Sequence, residues 1–511
     1  MNRWQKFARW MVSADPPPPL AAPVTIEQRN GVPFCEQWNL DCPIFWLPTG
    51  DVWTVADACQ GTLILGANGS GKSSGSADSL ALKLLRLGAG GIVLCVKVGE
   101  ADYWQSIARL AGREKDLVRV TEKDHGFNVF EYELRRNGRG AGLTLNLVNL
   151  FRQLFDLVEA NNGQKAAPDF WERAGVRLIS NAIHLQSCLT DPFTIMAVRE
   201  VISTAPRNPQ EVESADWEQT PCGLACEQAL LRFPDDYETQ QAVEYFTLQW
   251  PRMGDKQRAG ILETWEGLAD PVLRTPVRQK FCAQTTWTPE DAIERGKIIL
   301  MDLPVKEFDF AGKLAGVIAK YMFQKTVERR PKADEKNRRP CFIWADEFQH
   351  FITSYDPLFQ QTARSSKALS VYIGQNIPSI LAALGGQAAK PFMDNLLGNL
   401  VTQIFHSNAE KETNHYAAET ISKDWQNRRT VSASESQSRL APALAGSISS
   451  SASMAESLEY LVNPVEFTRL RTGGMRNNRI VDAFFFQGTR TFSDGNNFLP
   501  VYFSQPKEQR S

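Results

Sequence analysis

No window of the 511 residues approaches the ~18 consecutive apolar residues that a membrane-spanning helix needs. Met1–Val12 is basic and amphipathic but stops at Asp15-Pro16, too short for the apolar core and cleavage site of a signal peptide. It reads as a frayed terminus or a surface-touching segment, and the default location is the cytoplasm. Charge of one sign is also missing: 56 basic against 58 acidic residues leave a net charge of −2. No global basic field advertises nucleic acid, which argues against simple DNA coating but leaves room for DNA contacts confined to a few loops of a ring. Histidine is scarce, with five in the chain. None lies near Cys35 and Cys42 or the Cys222-x-x-x-Cys226 pair, so neither pair has the ligands for a zinc site. The nine cysteines are mostly isolated, and Cys95 and Cys341 sit inside apolar runs, which suits a reducing compartment.

What is present is an ordinary globular balance, 43% hydrophobic and 22% charged, in a length that suits two or three domains. The stretch around which the chain is organised is Gly61–Ser74, a short apolar strand running into G-x-x-x-x-G-K-S and then a helix to about Arg86. The glycines of Gly66-Ala67-Asn68-Gly69-Ser70-Gly71 let backbone N–H groups turn inward towards a β-phosphate, and the following helix adds its positive end. Lys72 can reach the β- and γ-phosphates, Ser73 offers a hydroxyl to Mg²⁺, and Ser74 continues the cradle.

Gly90–Val96 is a continuous apolar run, and further strand-like segments follow at Leu117–Val120, Gly296–Leu303, Cys341–Ala345, Ala368–Gly374 and Gly398–Phe405, alternating with helical patterns. Runs of this kind belong to parallel strands buried on both faces, so the fold class is α/β with a doubly wound, mostly parallel sheet. Between about Leu143 and Thr288 strand-like runs are nearly absent. The periodicity Leu145-Val148-Phe151-Leu154-Phe155-Val158 and the Phe170–Ile179 pattern predict an all-helical insert. Residues 1–25, with Pro16–Pro19, read as a flexible segment and stiff spacer. Residues 26–140 read as the first part of a nucleotide-binding domain, 141–290 as the insert, and 291–511 as the second part with a Ser-rich loop at 430–457. The charged loop between Arg329 and Pro340 reads as a solvated surface.

Cys341–Ala345 ends in Asp346-Glu347, the second half of an NTPase site. Asp346 can hold the Mg²⁺ shell, and Glu347 is placed to orient and deprotonate an attacking water. Gln375 ends another strand, where it could bond a γ-phosphate or its water or simply cap the next helix. Arg364 is either a solvated charge or a cation reaching into a neighbouring subunit's site. Arg469, Arg471, Arg476 and Arg479 around Gly473-Gly474 could contact phosphates or form a surface hairpin. His350, His406 and His415 have no metal-ligand spacing and read as structural.

Taken in order, the phosphate loop Gly66–Ser73, the Val96–Glu100 turn, Phe170-Trp171, Cys341–Glu347 and the Arg364-to-Gln375 spacing resemble the type IV coupling proteins, the VirD4/TraD/TraG-like ATPases of the FtsK–HerA group. The resemblance runs from about Gly61 to Phe503. It implies a RecA-like P-loop domain interrupted by an all-α domain, a hexameric ring with ATP and Mg²⁺ between subunits, and hydrolysis that drives DNA or DNA–protein cargo towards a type IV secretion channel. By the same resemblance Lys72 and Ser73 bind phosphate and metal, Asp346 the metal and Glu347 the water. Gln375 is the sensor, Arg364 acts in trans, and residues 141–290 read a relaxase, other cargo or its adaptor. Many relatives begin with two transmembrane helices; this sequence has none, so either a partner docks it at the inner membrane or it is a soluble relative with another task. The alternatives are a soluble HerA-like motor in DNA processing or defence, and a non-motor ATP-binding adaptor.

Overall fold

The computed structural model describes residues 38–161, 170–189, 193–330, 338–385, 389–435 and 448–505. The proposed spacer at 1–25 therefore lies outside the described residues. In chain order the strands are β1 (Pro43–Trp46), β2 (Val52–Thr54), β3 (Thr62–Leu65), β4 (Gly90–Leu94), β5 (Leu117–Val120), β6 (Ile298–Met301), β7 (Cys341–Asp346), β8 (Ala368–Gly374), β9 (Thr402–Phe405), β10 (Lys423–Glu435), β11 (Ile448–Tyr460), β12 (Ile480–Gln487) and β13 (Phe498–Ser504).

Nine of them form one sheet in the order β13-β12-β9-β3-β8-β7-β4-β6-β5. Every pairing from β9 to β5 is parallel, and the two antiparallel pairings, β9 with β12 and β12 with β13, lie at one edge. The fold class is α/β with a mostly parallel sheet. β3, β4, β6, β7, β8 and β9 are buried along their whole length, in keeping with their mostly apolar sequences. Alternate residues feed two cores. Ile64, Val93, Phe342 and Trp344 face a cluster built with the helices Asp78–Arg86 and Glu100–Leu110, where Trp104 stacks on Phe342. Leu63, Leu65, Ile92 and Ile343 face the other way, against the helix Val305–Glu328.

β4 needs its two glycines. A Cβ on Gly90 would fall 1.9 Å from the Ala292 carbonyl oxygen, and one on Gly91 2.5 Å from that of Phe342. These contacts let β4 sit tightly under the segment that returns from the helices.

Between β5 and β6 the regular elements among the described residues are helices, from Val129–Arg135 to Pro289–Ile293. Phe151, Trp265 and the other buried residues of these helices belong to the same continuous cluster as one face of the sheet. These helices thus pack onto the sheet in one shared core.

Two expectations are corrected. The Ser-rich stretch at 430–457 is not simply a loop: residues 430–435 and 448–457 belong to β10 and β11, an antiparallel pair in unbroken register from Lys423↔Tyr460 to Glu435↔Ile448. Small, polar side chains leave no apolar period to read, and the backbone ladder carries the pairing. The flanks of the charged 329–340 loop are not simply solvated either. Arg330 donates to the carbonyls of Arg339, Ser366 and Ile293, Arg329 makes a bidentate pair with buried Glu133, and Arg339 lies over the Trp38 ring.

Candidate functional site

All the parallel strands point their carboxyl ends the same way, and ligands of open α/β sheets bind outside those ends. Three of these ends build the site: Leu65 of β3, Gly374 of β8 and Asp346 of β7. β8 lies between the other two, so Gln375 emerges between the phosphate loop and the acidic pair.

The loop after β3 is tied at its start by the Gly66 N–H donating to the Gly374 carbonyl (3.3 Å) and the Ala67 N–H to that of Ser407 (2.9 Å). Gly69 and Gly71 take φ of +74° and +82°, the left-handed region that favours glycine. At Gly66 a Cβ would lie 2.5 Å from Ser70 Oγ. Ser70 Oγ is buried and has no hydrogen-bond partner among the described residues. The loop leads through a π-helical turn, Ser73–Ala77, into the helix Asp78–Arg86, and no side chain caps the first N–H groups of that turn. Those donors are left for an anion.

Behind the loop, His406 donates through Nδ1 to the Asp482 carbonyl (3.0 Å) and, as a neutral imidazole, accepts through Nε2 from the Ser76 hydroxyl (2.7 Å). Burial pulls its pKa down to about 4, the Asp482 carbonyl opposing and Lys72 assisting. A neutral imidazole thus braces the phosphate loop.

Lys72 is buried. Burial pulls its ammonium below lysine's ordinary range while Asp346 and Glu347 push it up, which places all three in one electrostatic unit. Glu347 sits in the left-handed region (φ +54°, ψ +49°), a conformation that costs a non-glycine residue about 1–3 kcal/mol and is retained at functional sites. Its carboxylate accepts from Gln375 Nε2 at 2.7 Å and Gln349 Nε2 at 3.0 Å, and its N–H donates to Asp346 Oδ1 at 3.0 Å. Burial raises the Glu347 pKa, but the two amides, Lys72 and Lys97 outweigh it and hold the carboxyl below its usual range. Glu347 is a buried carboxylate kept ionised, the state a water-activating base requires.

Gln375 is thus not merely a helix cap; Asn376, one residue on, caps the next helix through Ser379 N–H. Asn408 fixes the Gln375 backbone by donating to its carbonyl (2.8 Å). Gly66, Ser70, Lys72, Asp346, Glu347 and Gln375 come together at one end of the sheet. Asn68 and Gly69 are exposed at the tip of the phosphate loop, while Ser74 Oγ accepts from Gln505 Nε2 (2.6 Å).

Arg364 is not brought there. It is exposed in the turn before β8, at the opposite end of that seven-residue strand, roughly 20 Å away at ~3.3 Å per residue. Among the tail arginines, Arg471 is locked on Asp482 by two bonds of 2.8 Å. The turn beside it packs on the phosphate loop: a Cβ on Gly71 would meet Val481 Cγ2 at 2.6 Å and the Thr472 carbonyl at 3.0 Å.

Sequence reasoning assigns no role to Lys97, Gln349 or Asn408. Lys97 Nζ lies 2.9 Å from Asp346 Oδ2 and 3.6 Å from Glu347 Oε1. The available signal is its position just past a fully apolar strand, at the sheet's ligand-binding end.

Residues 340–472, which include β7, β8, Arg364 and Gln375, match a family described as the TraM recognition site of TraD and TraG. Among solved structures the chain is similar to the bacterial conjugative coupling protein TrwB in its unbound monoclinic form, with a TM-score of 0.54 and 13% identity over 91% of this chain and 88% of that one. It is also similar to TrwB in complex with ADP and Mg²⁺ (TM-score 0.54, 12% identity, 91% and 89% covered) and with a non-hydrolysable ATP analogue (0.52, 12%, 90% and 88%). The chain has the coupling-protein fold and carries a TraD/TraG segment. The resemblance to the type IV coupling proteins therefore holds in fold and in residues 340–472. No curated protein matches by sequence. Among the described residues no helix is long and apolar enough to cross a membrane.

Proposed function

We propose that this chain is an ATP-hydrolysing motor of the type IV coupling kind, moving DNA or DNA–protein cargo in conjugative transfer or type IV secretion. The observation that carries the reading is the ionised, buried Glu347, held by Gln375 at 2.7 Å beside Asp346 and Lys72 at the phosphate-loop end of the sheet. A non-hydrolysing adaptor needs no such base.

The loop fits a nucleotide's phosphates: Gly66 leaves the space that a Cβ would fill, Ser70 Oγ is unpartnered, and the first helical turn is uncapped. Gly66, Asn68, Gly69, Ser70, Gly71, Lys72, Ser73 and Ser74 would line it. The Ser73 hydroxyl and the Asp346 carboxylate are hard oxygen donors of the kind Mg²⁺ takes. The metal would supply charge neutralisation of the transferred phosphoryl group. Glu347 then holds and deprotonates water, and Gln375, bonded to that carboxylate, senses the nucleotide.

Arg364, exposed at the far end of β8, suits a cation offered to the next subunit of a homo-hexamer. The helical segment 141–290 is proposed to read a relaxase or other cargo, and residues 340–472 to meet an adaptor of the TraM kind. Docking at the inner membrane and at channel components would run through partners, from the cytoplasm. The test is ATP binding and turnover by the Lys72→Ala protein, which is expected to lose both. Wild-type turnover in that variant contradicts the reading.

A further inference from the structure

Lys97 is the site cation for which neither the motif nor the proposed reaction has a use. It is presented with care. The Glu100 carboxylate, partly buried, accepts from the N–H groups of Val96 (2.9 Å) and Lys97 (3.2 Å), and Gly99 turns the chain at φ +82°. Tyr103, one helical turn on, reaches the Ser73 carbonyl at 3.5 Å and ties the same segment to the phosphate loop. From this fixed turn the lysine side chain crosses to β7, where it bridges both members of the acidic pair.

Its side chain is 48% exposed, whereas the Asp346 and Glu347 side chains are 11% and 5% exposed. Lys72 is buried. So one lysine is fixed by packing and the other is held chiefly by charge, free to swing about its stem.

Two adjacent carboxylates taken largely out of water repel one another unless cations balance them. Without a nucleotide, Lys72 and Lys97 are the balancing charges. A metal held at Asp346 would compete with Lys97 for that carboxylate. A triphosphate brings one more negative charge than a diphosphate, carried on the phosphate group nearest the water-activating Glu347.

We propose that Lys97 is a charge-exchange residue: it neutralises Asp346 and Glu347 in the empty site and passes to the terminal phosphate of a bound triphosphate. It thereby makes the site prefer triphosphate over diphosphate. This rests on the nucleotide-binding reading above. Lys97 is a positioning and specificity residue here, distinct from Lys72, which meets phosphates in both ligand states.

The test compares Mg²⁺-ADP and a Mg²⁺-bound non-hydrolysable ATP analogue binding to the full chain, measured calorimetrically for wild type, Lys97→Met and Lys97→Arg. Lys97→Met is expected to lose about tenfold in affinity for the triphosphate analogue, the worth of one charge-assisted hydrogen bond to phosphate, and to keep ADP affinity within about twofold of wild type. Lys97→Arg is expected to regain most of the preference. Equal losses for both nucleotides in a protein of wild-type thermal stability would make Lys97 a shaper of the site only and overturn the proposal. An unchanged preference would overturn it too. Wild-type protein that binds neither nucleotide would instead overturn the nucleotide reading, and the proposal with it.

Discussion

Glu347→Gln separates binding from hydrolysis, and the structure sets the size of each effect. The substitution keeps the shape of a side chain that is almost fully buried. It removes one acceptor, however, and Glu347 now accepts from two amides, Gln375 and Gln349. A glutamine can accept from one of them and leaves the other donor unpaired, a cost of about 1–3 kcal/mol in stability. The change also removes a negative charge from the unit containing Lys72, Lys97 and Asp346. Those lysines then serve a polyanion better, and binding of ATP with Mg²⁺ is expected to tighten by about 1–3 kcal/mol. Turnover is expected to fall by about 10²–10⁴-fold, the usual contribution of a general base. A fluorescent ATP analogue reads the first effect and phosphate release the second. Turnover at the wild-type rate would refute the assignment of the base. Loss of binding together with turnover would make Glu347 a scaffold residue instead.

Three further outcomes follow from the same contacts. His406 resists protonation down to about pH 4 in the folded chain, whereas an unfolded histidine takes a proton near pH 6.5. Its contribution is therefore complete above pH 6.5 and lost as pH falls towards 4, about 2 kcal/mol between pH 7 and pH 5. Thermal midpoints of His406→Gln should fall less over that range than those of wild type, and equal slopes would refute the argument. Asp356 accepts from Lys320, Gln324 (2.8 Å), Tyr372 (3.0 Å) and the Thr353 N–H (2.7 Å) in a buried network behind β7 and β8. Asp356→Ala strands a buried ammonium and should cost about 3–5 kcal/mol in denaturant titration; a change below about 1 kcal/mol would contradict it. Arg364→Ala should abolish turnover and regain it on mixing with Lys72→Ala subunits. Mixed oligomers without rescue at any ratio would count against action in trans.

The strands that position the site are legible in sequence because each is short and mostly apolar, as in Thr62–Leu65 and Cys341–Asp346. Their order is not. That β8 intervenes between β3 and β7, and so sets Gln375 against Glu347, depends on crossovers that no local pattern encodes. β10 and β11 escape because serine and alanine carry no hydrophobic period, and their ladder is a property of two segments meeting. The phosphate loop and Asp346-Glu347 are readable as motifs, since phosphate and metal demand those residue types. Lys97 is not, because its partners lie 249 and 250 positions away. Arg364 lies at the far end of β8 from the phosphate loop among the described residues, and the use proposed for it needs a second chain.

The central claim is that the Lys72–Asp346–Glu347 unit drives a DNA-coupled motor. ATP hydrolysis by the purified protein, with and without DNA and alongside its mass in solution, tests that directly. The account predicts an oligomer of hexameric mass whose hydrolysis rises strongly with DNA and falls by about 10²–10⁴-fold in Glu347→Gln. ATP that is bound but scarcely hydrolysed, with DNA making no difference, would contradict it.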